Sequence, residues 1–126
     1  MGARPGRLGV ALVANQEAVI GRRKADSVEL EDKPPDSHVA STDQDTFGKI
    51  FRRNMPYGTV SDHGTMFVGF SPEQRPLAAM LESMAGLTSG VRDALTRFTR
   101  PVSGAYYFVP STESLRSMAD DTATVA

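Results

Sequence analysis

Residues Ile20 to Gly58 read IGRRKADSVELEDKPPDSHVASTDQDTFGKIFRRNMPYG, and the rest of the chain is arranged around them. Pro34 and Pro35 remove two backbone donors and fix two φ angles, so the approach to His38, from Arg22 to Asp36, is expected to be an extended connection. Beyond Ser37-His38-Val39-Ala40 the polar run Ser41 to Gly48 carries the turn formers Asp43, Asp45 and Gly48. Lys49 to Met55 mixes bulky apolar and basic residues and is read as a short strand that Pro56 closes.

Outward from this stretch, the elements alternate. Gln16-Glu17-Ala18-Val19-Ile20 is read as the last turns of a helix stopped by Gly21, because glycine accepts the left-handed conformation that ends helices. Thr65 to Phe70 is almost wholly apolar and rich in β-favouring types, which predicts a strand covered on both faces. Ser71 as a cap, Pro72 at the first position and Gln74 completing a capping box predict a helix start. That helix places Leu77, Met80, Leu81 and Met84 on one stripe, expected to pack on a sheet. A second short helix is expected over Val91 to Phe98, a last strand over Ala105 to Pro110, a terminal helix over Ser111 to Met118, and a frayed tail after it. The class is α+β, a small sheet with helices on one face.

Composition narrows the chemistry. Hydrophobic residues at 40% and charged residues at 23% are ordinary globular values, and 14 basic against 15 acidic side chains leave a net charge of -1, so nothing calls for nucleic acid. The absence of cysteine removes disulfides, thiolate metal sites and thiol catalysis, and suits a cytoplasmic location. No apolar run approaches the roughly 18 residues of a membrane span, so no membrane partner is expected. Arg4 and Arg7 precede the short apolar piece Leu8 to Ala14, but no small-x-small cleavage site follows to make it a signal peptide.

Taken by residue type alone, His38 is more commonly a hydrogen-bonded surface imidazole than a ligand, and Arg52-Arg53 a solvated basic cluster on an edge strand. His63, between Asp62 and Gly64, is read as a turn residue. Met55, Met66, Phe70, Leu81 and Phe108 fit a core or a pocket wall equally.

The segment IGRRKADSVELEDKPPDSHVA, the following FRRNMPYG and the later GLTSGVRDALTRFTRPVSG together resemble the bacterial dye-decolourising peroxidases of type B, in the order that family shows them. The resemblance implies a ferredoxin-like half of a dimeric α+β barrel. It covers residues 16–118, with residues 1–15 a start outside the family and 119–126 a disordered tail. It implies haem b as cofactor, hydrogen peroxide and a small aromatic reductant as substrates, and His38 as the proximal iron ligand. Asp93 matches the acid that accepts the ligand's second N–H, the other reading being an exposed helix face. Arg52 matches the distal arginine, Asn54 its neighbouring amide and Arg22 the arginine that meets a haem propionate. An imidazole suits the ligand role because one ring nitrogen binds iron while the other donates to a partner that sets its basicity. A fixed guanidinium suits peroxide cleavage because it stabilises charge developing on the leaving oxygen. Arg53 stands beside Arg52, and alternation along a strand sends the two to opposite faces; Arg52 is expected to face the haem.

The family's G-x-x-D-G motif does not occur here, so only the second half of such an enzyme is expected in this chain. Two other readings remain: a non-enzymatic haem-binding module, and an α+β dimerising domain that no longer binds haem. An uncovered apolar sheet face from Met66 to Phe70 and Tyr106 to Val109 is expected to lead to a homo-oligomer or to a partner chain supplying the other half.

Overall fold

The computed structural model describes residues 11–123, and side chains over 12–121. In order, the elements are α1 (Ala11–Ile20), α2 (His38–Ser41), α3 (Gln44–Phe47), β1 (Phe51–Gly58), β2 (His63–Phe70), α4 (Gln74–Met84), a 3-10 turn (Ala94–Arg97) and α5 (Thr112–Ala123). Helices plus one antiparallel ribbon make the α+β class. The small core sits where α1, α2, α4 and the 3-10 turn meet, and Val39, Met80 and Ala94 are its buried apolar side chains.

α1 ends where glycine permits. Gly21 has φ +87° and its amide donates to the Glu17 carbonyl at 2.6 Å. A Cβ at Gly21 would also lie 2.9 Å from Ser37 Oγ, so this position joins the helix end to the start of α2 with no room for a side chain. The helix takes in Ala11 to Asn15, which the sequence left without structure, and residues 1–10 lie outside those described.

From Arg22 to Asp36 the chain is neither helix nor central strand, but it is not simply extended. It doubles back on itself through an isolated bridge between Arg22 and Glu29, with Ser27 at φ +60° in the bend. Asp26 makes that bend, since its carboxylate accepts the Val28 amide at 3.1 Å and pairs with Arg23 at 2.7 Å.

β1 and β2 form a hairpin in which Phe51 pairs with Phe70 and Gly58 with His63. The strand continues through Pro56 to Gly58 instead of stopping at the proline. In a two-stranded ribbon each strand has a free edge, where a proline costs no ladder bond. Gly58, at φ +101°, allows the tight return: a Cβ there would stand 2.2 Å from the Asp62 carbonyl oxygen. His63 is therefore the first residue of β2, at the hairpin's closed end.

α4 starts at Gln74, two residues later than Ser71 as cap would place it, with Glu73 as its N-cap. Pro76 explains the delay. In a helix capped by Ser71 it would owe a hydrogen bond to the Pro72 carbonyl and clash with it. With Glu73 as cap, Pro76 is the third helical residue, where the amide is unpaired in any helix. The expected stripe is only half-realised: Met80 is buried, Leu77 and Met84 are half-buried and Leu81 is exposed. α4 packs chiefly on α2 and α3, and reaches the ribbon where Leu77 lies over Gly69.

The expected strand at Ala105 to Pro110 does not form among the described residues. Nothing pairs with it, and Tyr107 and Phe108 are 86% and 88% exposed. A strand needs a neighbour to satisfy its backbone groups, and here the segment stays irregular. For the same reason β2 is not covered on both faces: Met66, Phe67 and Phe70 are about half-exposed. Met55, Leu81 and Phe108 are likewise outside the core. α5 runs on through Ala119 to Ala123, further than the expected frayed tail allows. None of the described helices is long and apolar enough to cross a membrane.

Asp43 caps α3, accepting from the Thr46 hydroxyl at 2.6 Å and the Thr46 amide at 3.1 Å. The Thr46 hydroxyl, opposed by a burial cost and helped by the amides of Asp45 and Thr46 and the charge of Lys33, holds its carboxyl below the usual range. A carboxyl whose folded pKa is depressed contributes stability above its unfolded pKa, and the contribution is lost as pH falls through the folded value. Asp43→Ala is expected to lower the unfolding free energy by about 1 kcal/mol at pH 7. In urea titrations the gap to the parent chain should close as pH is taken below 3.8.

Candidate functional site

The residues between Pro35 and Thr42 are shaped so that His38 opens a helix. Ser37, fully buried, caps α2 by accepting the Ala40 amide at 3.3 Å, and its own amide donates to the Pro34 carbonyl at 3.0 Å. The two prolines thus deliver a fixed turn, and the cap sets the direction in which the helix leaves it. His38, the first helical residue, keeps 27% of its side chain exposed.

Asp93, fifty-five residues later, meets that imidazole. Its Oδ2 accepts from His38 Nδ1 at 2.7 Å, and its Oδ1 accepts from the Leu95 amide at 2.8 Å. The carboxylate is completely buried. Both oxygens are committed, one to the ring and one to the 3-10 turn that Asp93 itself caps. The backbone repeats the attachment: the Ala94 amide donates to the Asp36 carbonyl at 2.7 Å, and the Asp93 amide to the Met84 carbonyl at 3.0 Å. The exposed-face reading of Asp93 is therefore excluded in this fold, and the short helix expected over Val91 to Phe98 contracts to one 3-10 turn that the aspartate organises. With Nδ1 donating to a carboxylate, Nε2 is the ring nitrogen left to act as a base or a ligand.

Arg52 lies half-buried on β1 and turns toward α2, where its Nη1 donates to Thr42 Oγ1 at 3.2 Å. Asn54, two places on, shares its face of the strand and is exposed. Arg53 is exposed and points to the other face. His38, Asp93 and Arg52 are thus connected through α2. Arg22 is not joined to them: its guanidinium donates to the Ser27 carbonyl at 2.8 Å and to Glu29 at 2.7 Å within its own loop. Among the described residues no group of three or more His, Cys, Asp or Glu side chains could hold a metal ion by itself. Thr42, Ser37 and the Leu95 amide carry contacts that residue-type reasoning passed over. Only Ser37 had a local signal, a capping residue standing directly before a short helix.

The chain that carries this arrangement has known relatives. The family model described as Dyp-type peroxidase, C-terminal, matches residues 8–114. Two curated relatives named dye-decolorizing peroxidase, from Mycolicibacterium paratuberculosis and Mycobacterium tuberculosis, are each 40% identical over 112 residues. Each alignment covers 82% of this chain and 32% or 33% of the relative, so the chain spans about a third of their length. Among solved structures, the dye-decolorizing protein from V. cholerae superposes with a TM-score of 0.76 at 49% identity, over 83% of this chain and 37% of that one. The encapsulated DyP-type peroxidase from Mycobacterium smegmatis gives 0.58 at 40% identity, over 68% and 30%. The chain belongs to the Dyp-type peroxidase family and corresponds to its C-terminal region.

If Asp93 holds the site together, its removal is costly. Asp93→Ala strands the Leu95 amide and leaves His38 Nδ1 without its acceptor, and should lower the unfolding free energy by roughly 2–3 kcal/mol. Asp93→Asn keeps one acceptor and should lose less. Denaturant midpoints for the two variants measure this, and an alanine variant as stable as the parent would count against the buried bridge.

Proposed function

We propose that this chain supplies the haem-ligating face of a dye-decolourising-type peroxidase, with His38 Nε2 as the axial ligand to iron. The observation that carries the reading is the 2.7 Å contact between His38 Nδ1 and a fully buried Asp93 carboxylate. The donor set fits the group: one ring nitrogen is fixed to an anion, and the other belongs to a side chain that is still partly exposed. When bound, haem b supplies peroxide reduction and the oxidation of a small aromatic donor such as a dye or phenol.

The chain's own residues prepare for that chemistry. Asp93 holds the Nδ1 proton and the ring orientation, which raises the electron-donating power of Nε2. Arg52 presents a charge that does not need to be deprotonated, suited to the oxygen that leaves when hydrogen peroxide is cleaved. Asn54, on the same strand face, offers an amide to hold peroxide or a water. Arg22 serves a propionate by exchanging one carboxylate for another. Its pair with Glu29 is surface-exposed, and such pairs are worth about 1 kcal/mol or less, so the exchange is cheap.

Adding hemin to the chain should give a Soret band with a ferric high-spin or aquo spectrum, since a peroxidase leaves one axial position open. His38→Ala should abolish that band while His63→Ala leaves it. The reverse pattern, or a bis-histidine spectrum, would defeat the assignment.

The partner reading rests on the exposed apolar surface. Phe51, Tyr57, Met66, Phe67, Tyr106, Tyr107, Phe108 and Val109 are all half or more exposed, more than one small domain leaves to water without a use for it. We propose that another copy or another chain segment covers this face. Light scattering on the chain should give a mass above the monomer, and a monomer that binds no hydrophobic dye would overturn this.

A further inference from the structure

Thr42 closes a relay between the two sides of the site. Its hydroxyl donates to the His38 carbonyl at 2.7 Å and accepts from Arg52 Nη1 at 3.2 Å. Its amide donates to the same His38 carbonyl at 3.0 Å, as the C-cap of α2. The residue is 5% exposed, so the hydroxyl is not free to trade these partners for solvent. A hydroxyl has one proton and two lone pairs. Here the proton is committed to the carbonyl of the residue that carries the imidazole, which leaves only oxygen lone pairs facing Arg52. The site therefore accepts a donor there and rejects an acceptor.

We propose that Thr42 is the positioning residue that seats Arg52, and that it makes Arg52, not Arg53, the arginine of the reaction. Three observations support this. The Arg52 guanidinium takes no other hydrogen-bond partner among the described residues, so this one contact sets its direction. The residue just before its strand is held to the start of α3 by a second bond, from the Ile50 amide to Gln44 Oε1 at 3.0 Å, which limits sliding of β1 against α3. Arg53, one residue on, points to the opposite face and cannot reach Thr42 without a register shift. Thr42 touches neither substrate nor cofactor in this scheme and acts through Arg52 alone. The inference rests on the peroxidase reading for its purpose, but the hydrogen bond itself does not depend on haem.

The test compares the full chain with Thr42→Val, which keeps the shape and removes the hydroxyl, and Thr42→Ser, which restores it. The Thr42 amide still caps α2 in both, so denaturation midpoints should stay close to the parent. Side-chain nitrogen NMR of Arg52 in the haem-free chain should show resolved, slowly rotating Nη signals in the parent and Thr42→Ser, collapsing to an averaged signal in Thr42→Val. Unchanged Arg52 signals in Thr42→Val would overturn the proposal whatever the chain binds. In the hemin complex, fluoride affinity should fall about tenfold in Thr42→Val, as expected for one lost hydrogen bond to a charged group. Arg52→Ala should fall at least as far, and the double variant no further than Arg52→Ala. Additive losses would show that Thr42 acts on its own account and would also overturn the proposal. A failure of hemin to bind through His38 would count against the peroxidase reading and leave the NMR comparison intact.

Discussion

One buried carboxylate ties this domain together. Asp93 spends one oxygen on the His38 ring and the other on the amide of Leu95, and the residue is completely buried. A buried charge is tolerable only when its lone pairs are satisfied, so the two segments that satisfy it, more than fifty residues apart, are held to a single arrangement. Around it the backbone adds bonds from Ala94 to Asp36 and from Asp93 to Met84, and Ser37 and Gly21 close the remaining space. A structural requirement and a chemical one coincide here, because the group that must be paired to be buried is also the group that sets the character of the imidazole.

The apolar contribution is small by comparison. Among the described residues only Val39, Met80 and Ala94 are buried hydrophobic residues, in a chain whose hydrophobic share is 40%. Most of the apolar surface lies on the ribbon and along the irregular segment near Tyr106, where it faces outward. The polar bonds around α2 therefore carry an unusual share of the order near the site, while the ribbon presents a surface whose burial would need further protein.

The hairpin brings Arg52 to α2 by one hydrogen bond to Thr42, and alternation along the strand excludes Arg53. Arg22, by contrast, is committed to Glu29 and Ser27 in its own loop, an exposed arrangement that a competing carboxylate can displace at little cost. Arg52 and Thr42 thus belong to the network around His38 and Asp93, and Arg22 lies outside it.

Local chemistry alone determined much of this. Gly21 as a helix stop, the two prolines before His38, a strand before Pro56, another over Thr65 to Phe70 and the α+β class all follow from φ restrictions, missing amides and hydrophobic pattern. Pro76 even contained the later start of α4, had its debt to the Pro72 carbonyl been counted. Family motifs in the sequence pointed to His38, Asp93 and Arg52 as candidates. What only the tertiary structure decided was where Asp93 goes, which arginine turns inward, and whether Ala105 to Pro110 becomes a strand. Each of these turns on a partner remote in sequence: a buried ring for a carboxylate, a threonine hydroxyl for a guanidinium, and a neighbouring strand that, among the described residues, is not there. A residue's type fixes what it can bond to, but only the folded chain decides what stands within reach.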